Sequence, residues 1–376
     1  MKLAVFTLAL VMSAAPAHAQ LGGLGSKVRK ANDAADKVQK VKDLKISDAD
    51  ERKIGEQVSA KVRTEFGVFQ DKAVTKYVSL VGMALAKASP RPDLKWEFIV
   101  LDTDGVNAFA SPGGIVHITR GALGLIKSEA ELAGVLGHEV AHITKKHTVN
   151  AIQKNNTMEL TTEMVPGSNA LIEGLANAAY DNIVEKGFDR GDEEDADGVG
   201  VKLANSLTYN PAGLGTFLTK LSDRNKDAAP ERNALFASHP ETKGRIDKLN
   251  RMIKSEKLTG TATVQARYAA AITFDAKALS EIATVVAGTR GVAGGGSKDA
   301  KAKEEKPEEK PKKGFGIGSL NLSKGKQAES TQASASAGNR AVGTDRAAKG
   351  GSNPSKLTLP AITPAELEAF TKGIAG

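Results

Sequence analysis

Cysteine is absent from all 376 residues of the chain. Its absence excludes disulfide bonds, thiolate ligands for a metal, and lipid attachment at an N-terminal cysteine. A metal site in this protein must therefore be built from histidine and carboxylate side chains.

Aromatic residues are scarce at 4% of the chain, although apolar residues together make up 40%. This composition predicts a globular part diluted by a less compact one. The basic stretches do not interleave aromatic residues, so the net charge of +8 gives little support for nucleic-acid binding. We interpret the basic flanks, residues 27–45 and the tail after Lys298, as solvated surfaces. Peripheral contact with anionic envelope surfaces is the alternative.

Long apolar runs are missing after the first residues, so no later segment is expected to cross a membrane. Lys2, the apolar run Leu3–Met12 and the small residues Ala17 and Ala19 have the pattern of an export signal. We predict a signal peptide over residues 1–19 and a soluble, periplasmic mature chain. An uncleaved membrane anchor is the alternative.

The periodicity and composition of the remaining chain predict an ordered domain with flanking segments. Residues 166–184, rich in Gly, Asn and Ala, are predicted to be either a mobile cover over a cleft or a plain surface loop. Residues 294–355 contain too few apolar side chains to offset the entropy of ordering, so we predict disorder there. The other predicted segments are an amphipathic helix (20–46), the main domain (47–255), a short ordered extension (256–293) and a short helix capped by Thr363 (356–376).

The stretch "GVLGHEVAHITKKH" carries a possible metal site on a helix predicted over residues 128–147. His138 and His142 are four residues apart, so their imidazoles share one helix face and can meet at a point about 2 Å from each. Glu139 is turned about 100° around the axis, out of direct coordination but within reach of a water. His147 continues the apolar stripe and is interpreted as a structural histidine.

A catalytic zinc ion usually takes three protein ligands, so a third ligand is needed. The acidic stretch "RGDEEDADGVGVKLA" offers a carboxylate, and its spacing leaves Glu193 and Glu194 equally good candidates. Asp197 would then receive the ring N–H of a ligand histidine. A solvated helix start is the alternative for this cluster of acids.

"GHEVAH", "EEDAD", "YNP" and "HPETKGRI", with "RPDLKWEF" and "VNAFASPGG" upstream, resemble the zinc metallopeptidase family that includes the CAAX prenyl protease and HtpX. The similarity covers residues 46–249 and is greatest to the soluble periplasmic branch. It implies an α+β zincin-like fold, mostly helical, with the active-site helix under a small, mainly antiparallel sheet.

The resemblance also implies the roles of individual residues. His138, His142 and Glu193 would bind one zinc ion per chain, and Glu139 would be the catalytic base. His239 would stabilise the oxyanion or take the fourth coordination position in a resting form. The implied supporting residues are Asp197 and Arg245 beside the ligands, and Asn107, Ala108 and Phe109 as substrate contacts.

The implied function is a zinc-dependent endopeptidase that hydrolyses exported or misfolded envelope proteins, with unfolded or extended polypeptides as partners. The alternative is a zinc-stabilised periplasmic chaperone or assembly factor with little turnover. Manganese or cobalt could replace zinc, since such a ligand set accepts several divalent metals.

Overall fold

The computed structural model describes residues 46–155, 168–225, 239, 242–281 and 357–375. The predicted signal peptide, nearly all of the predicted N-terminal helix and the predicted disordered segment 294–355 lie outside these described residues. Within the described part of the chain, no helix is both long and apolar enough to cross a membrane.

Helices dominate the described residues and surround one small sheet. The strands are β1 (Glu97–Leu101), β2 (Ala108–Ser111) and β3 (Ile115–Thr119). The helices up to the metal motif are α1 (Asp48–Phe66), α2 (Lys72–Ala88), α3 (Arg120–Leu125) and α4 (Glu129–Thr144). Those after it are α5 (His147–Asn155), α6 (Asn169–Tyr180), a π-helix (Asp181–Lys186), α7 (Arg190–Ser206), α8 (Gly213–Asn225), α9 (Thr242–Ser255), α10 (Gln265–Ala271), a 3-10 turn (Leu279–Glu281) and α11 (Pro364–Lys372).

The sheet has the strand order β1-β3-β2, with β3 parallel to β1 and antiparallel to β2. The β2–β3 hairpin folds back so that its second strand, not its first, lies beside β1. The predicted α+β class is confirmed, and the sheet is mixed rather than mainly antiparallel.

The two faces of the sheet belong to different hydrophobic clusters. Ile99 and Phe109 both pair with His117 across the sheet, so these three side chains share the face covered by α1 and α6. Alternate residues such as Val100 and Ile118 point to the other face, where α2 and α4 pack. The sheet is therefore sandwiched between helices, and α4 is buried against it.

Helix α4 begins and ends at identifiable residues. The Ser128 side chain accepts a hydrogen bond from Glu131 N, which caps the first turn. The helix ends at Thr144, and Lys146 adopts a left-handed conformation with φ of 57°. The prediction that the helix continues to His147 is wrong, because the chain turns at Lys146 and His147 begins α5.

Residues 169–180 form a helix, so the plain surface loop, one of the two alternatives predicted for residues 166–184, is wrong for this part. Leu171, Ile172 and Leu175 are buried in the same cluster as Ile54 and the rest of the apolar face of α1. This segment is therefore part of the packed core on that side of the sheet.

The core that includes α4 also takes in residues beyond 255. Tyr268, Ile272 and Ile374 are buried in it, and Phe370 packs against it. The C-terminal helix α11 begins at the predicted cap, since Thr363 forms a capping box with Glu366.

Candidate metal centre

Helix α4 presents His138 and His142 on one face, one turn apart. The side chains are 5% and 0% exposed, and their Nε2 atoms lie 3.0 Å from each other. Glu139, the next residue along α4, is also buried. The spacing that predicted a shared face thus brings two imidazole nitrogens together in a buried site.

Helix α7 crosses α4 where both helices carry glycine. A Cβ atom added to Gly200 would lie 2.6 Å from His138 N, and one added to Gly137 would lie 2.8 Å from Gly200 O. Larger side chains would hold the helix backbones apart. This close approach sets Glu193, two turns before Gly200 on α7, against the histidines.

Four side chains converge in the buried group His138, His142, Glu193 and His239, whose donor atoms all lie within 4.8 Å of one another. His239 Nδ1 is 3.3 Å from His138 Nε2 and 2.8 Å from Glu193 Oε1. His142 Nε2 is 3.4 Å from Glu193 Oε1. Of the two candidate carboxylates, the structure brings Glu193 to the histidines, whereas Glu194 pairs with Lys248 on the outside.

Asp197 and Arg245 lie behind the donor group. Asp197 Oδ1 is 3.0 Å from His138 Nδ1, the ring nitrogen that faces away from the group. Arg245 donates two hydrogen bonds to the Asp197 carboxylate, at 2.8 and 2.7 Å, and its Nη1 is 2.7 Å from Glu193 Oε2. One guanidinium thus holds the Asp197 and Glu193 carboxylates in place.

The electrostatics of the group favour metal-binding protonation states at His142 and Glu193. At His239, by contrast, burial alone would lower the pKa, but the neighbouring Glu193 outweighs burial and the pKa is raised. Burial holds the pKa of His142 well below its usual range. Burial alone would raise the pKa of Glu193, but the neighbouring His239 and His138 outweigh it and hold that pKa well below the usual range. Burial would also raise the pKa of Asp197, but Arg245 and His138 outweigh burial and lower that pKa to about 2. A neutral imidazole and an ionised carboxylate are the forms that bind metals.

Glu139 differs from the other carboxylates of the site. Burial raises its pKa. Its Oε2 atom has no hydrogen-bond partner among the described residues, and its Oε1 lies 3.9 Å from His239 Nε2. An unpaired carboxylate oxygen with a raised pKa is suited to accept and release a proton.

The predicted substrate contacts divide between the two sides of the sheet. Asn107 and Ala108 line a cavity with His138, Glu139 and apolar residues of α8, including Leu214. The Phe109 side chain is on the opposite face, where its ring lies 5.5 Å from that of Phe66. Only the backbone of Phe109 is left for contact at the site.

His147 and Phe188 lie beside His142, and the sequence interpretation gave neither a role there. The Phe188 ring stacks on the His142 ring with their centroids 4.0 Å apart, and His147 Nδ1 is 2.9 Å from His142 Nδ1. The turn at Lys146 places His147 beside His142. The sequence around Lys146 contains no glycine or other local pattern that would have predicted this turn. The third histidine of "HEVAHITKKH" was the one available signal.

Residues 72–253 match the family model described as Peptidase family M48. The chain is 26% identical over 227 residues to the β-barrel assembly-enhancing protease of Yersinia pestis, covering 57% of this chain and 46% of the relative. It is 28% identical over 202 residues to the mitochondrial metalloendopeptidase OMA1 of Schizosaccharomyces pombe, covering 53% and 60%. The chain thus spans about half the length of these curated relatives.

The matched region contains both helices that build the centre, α4 with its two histidines and α7 with Glu193. The resemblance noted from the motifs is confirmed over this region. The buried donor group, the helix crossing that assembles it and the family match agree: residues 72–253 of the chain are similar to peptidase family M48.

Proposed function

We propose that this protein is a zinc-dependent endopeptidase and that His138, His142 and Glu193 hold the metal. The convergence of four buried donor atoms within 4.8 Å carries this proposal. Three imidazoles and a carboxylate form a costly group to bury unless their polar atoms are paired or bind a ligand. The similarity of residues 72–253 to peptidase family M48 supports the same conclusion.

The separations between donor atoms suit a small tetrahedral ion. Zinc–nitrogen and zinc–oxygen bonds of about 2.0–2.1 Å place neighbouring ligand atoms roughly 3.3 Å apart. Five of the observed separations lie between 2.8 and 3.5 Å, two of them to Glu193 Oε1 and one to Glu193 Oε2, and the whole group lies within 4.8 Å. A zinc ion bound there would supply Lewis acidity and lower the pKa of a water.

Glu139 is the proposed proton carrier. Its partner-free Oε2 would take a proton from the attacking water and pass it to the leaving amine. The buried position raises its pKa, so the protonated form between these two transfers is stabilised.

His239 is proposed to close the centre in a resting form. Its Nδ1 is one of the four donors, so it would take the position that a substrate or water needs. In the observed position, His239 Nε2 lies 3.9 Å from Glu139 Oε1. For turnover the His239 side chain must leave the metal position, and its ring N–H is then available to stabilise an oxyanion.

The proposed substrates are extended polypeptides of exported or misfolded envelope proteins. Strand β2 forms one edge of the sheet and carries Ala108 beside the centre, so a peptide could add to it as a further strand. The signal-like start of the sequence supports an envelope location. A curated relative's name, β-barrel assembly-enhancing protease, is compatible with such substrates.

A chaperone or assembly factor with little turnover is the second candidate, favoured by the words "assembly-enhancing" in that name. Equal suppression of aggregation by wild type and by Glu139→Gln, with no cleavage by either, would favour it.

Cleavage of casein by the purified, zinc-loaded protein tests the proposal. We expect Glu139→Gln to retain one zinc ion and to lose at least about 100-fold in rate. Glu194→Gln is the matched control, because Glu194 is paired with Lys248 outside the centre and should leave cleavage unchanged. Undiminished cleavage by Glu139→Gln would refute the assignment of the base.

A further inference from the structure

His147 is a buried polar neighbour of the metal centre that the proposed reaction does not use. It begins α5 and its side chain is 5% exposed. Its Nδ1 lies 2.9 Å from His142 Nδ1, and its Nε2 lies 3.3 Å from Asp195 Oδ2 and 3.8 Å from Asp192 Oδ1. His147 thus links a proposed metal ligand to two carboxylates of α7.

The protons along this link can be assigned from the contacts. His142 Nε2 faces the donor group, 3.0 Å from His138 Nε2, and must offer a lone pair to bind a metal. A neutral imidazole then carries its hydrogen on Nδ1. That N–H needs an acceptor, so His147 Nδ1 offers a lone pair and its own hydrogen is on Nε2. The Nε2–H points at the carboxylates, and every contact pairs one donor with one acceptor.

We propose that His147 is a positioning residue that fixes the tautomer and ring direction of His142, with Asp192 and Asp195 holding His147 in turn. The inference rests on the proposed function in taking His142 as a metal ligand. Phe188 stacks on the His142 ring and restricts its plane, and His147 selects the direction of the ring within that plane. The two proposed ligand histidines are supported differently. His138 contacts the Asp197 carboxylate directly, whereas His142 contacts the imidazole of His147, which in turn contacts a carboxylate.

If His147 acts by positioning His142, a variant that keeps its hydrogen-bond acceptor should retain zinc affinity. If His147 only fills space, keeping the acceptor should make no difference. His147→Ala removes both the acceptor and the volume. His147→Asn keeps an acceptor oxygen close to the position of Nδ1 but loses the distal nitrogen. If the acceptor matters, the asparagine variant should recover most of what the alanine variant loses.

Zinc affinity, measured by competition with a chromophoric chelator, is the readout, with thermal melting of the metal-free proteins alongside. We expect His147→Ala to bind zinc about 10–100-fold more weakly than wild type, the range for lost supporting contacts of a metal ligand. His147→Asn should stay within several-fold of wild type. Unchanged zinc affinity in His147→Ala, or an asparagine variant as weak as the alanine variant, would overturn the proposal.

The double variant Asp192→Asn/Asp195→Asn tests the same link if His147→Ala does not fold. Both aspartates are partly exposed, at 29% and 42%, so their replacement should not disturb the core. We expect several-fold weaker zinc binding, and wild-type affinity would overturn the proposal. The zinc readout is independent of peptide cleavage: a protein that binds zinc but cuts nothing would refute the endopeptidase and leave the role of His147 to be decided by affinity.

Discussion

Glu129, the first residue of the helix that carries the metal motif, is fully buried and depends on a cation from far along the chain. It accepts hydrogen bonds from Tyr77 Oη at 2.7 Å, Tyr209 Oη at 2.6 Å and Arg267 Nε at 2.7 Å, and pairs with a second Arg267 nitrogen. Arg267 itself lies 4.1 Å over the Phe370 ring. Arg267 therefore connects the C-terminal helix α11, through Phe370, with the start of α4, through Glu129.

We expect Arg267→Ala to lower the free energy of unfolding by about 2–4 kcal/mol. Removing one partner of a buried pair costs roughly 3–5 kcal/mol because a charge is left uncompensated. The estimate is reduced because the Arg267 side chain is 28% exposed and both tyrosine hydrogen bonds remain. For a domain of this size the loss corresponds to a melting temperature lower by roughly 4–16 °C.

Urea unfolding followed by circular dichroism measures the effect. Lys76→Ala is the control, because Lys76 pairs with Glu366 of the same C-terminal helix at 39% and 41% exposure and should cost under about 1 kcal/mol. Glu129→Gln/Arg267→Ala should be more stable than Arg267→Ala alone, since no buried charge is left unpaired. A loss in Arg267→Ala no larger than in the control would refute this reasoning.

Three further outcomes follow from the packing and burial. Gly200→Ala should cost about 1–3 kcal/mol and weaken zinc binding, because its Cβ would meet His138 N at 2.6 Å; melting and zinc titration check this. Burial lowers the pKa of His117 from 6.5 to about 3, so the unfolded chain takes up a proton first as the pH falls. Between pH 6.5 and 3 the wild type should therefore lose about 1.4 kcal/mol per pH unit relative to His117→Gln in urea unfolding, and parallel pH profiles would contradict this. Zinc at about 100 times its Kd should stabilise the metal-free protein by about 2.7 kcal/mol, and chelator should reverse it; an unchanged melting temperature would contradict metal binding to the folded state.

Local spacing was enough to identify the features that depend on one stretch of chain. The four-residue step between His138 and His142 places both on one face of any α-helix, whatever packs around it. The cap at Thr363 is equally local, because its side-chain oxygen bonds an amide three residues on. The family motifs extended this to the class of fold, which the structure confirms.

Tertiary packing decided which members of each local pattern reach the site. The acidic run leaves Glu193 and Glu194 equal, and the glycine contact between α4 and α7 turns Glu193 inward. Neighbouring residues of β2 point to opposite faces of the sheet, so Ala108 lines the cavity and Phe109 packs against α1. The strand pattern alone does not say which helix covers each face.

His147 is the clearest case in which sequence position did not predict spatial position, whereas His239 was expected at the centre from the family resemblance and not from its spacing. His147 lies just past the end of α4 and returns to His142 only because Lys146 adopts a left-handed conformation. His239 is about one hundred residues from His138 in the chain and 3.3 Å from it in space. The helix period determined the first two donors, whereas the others depend on contacts between distant segments, which only the packed core specifies.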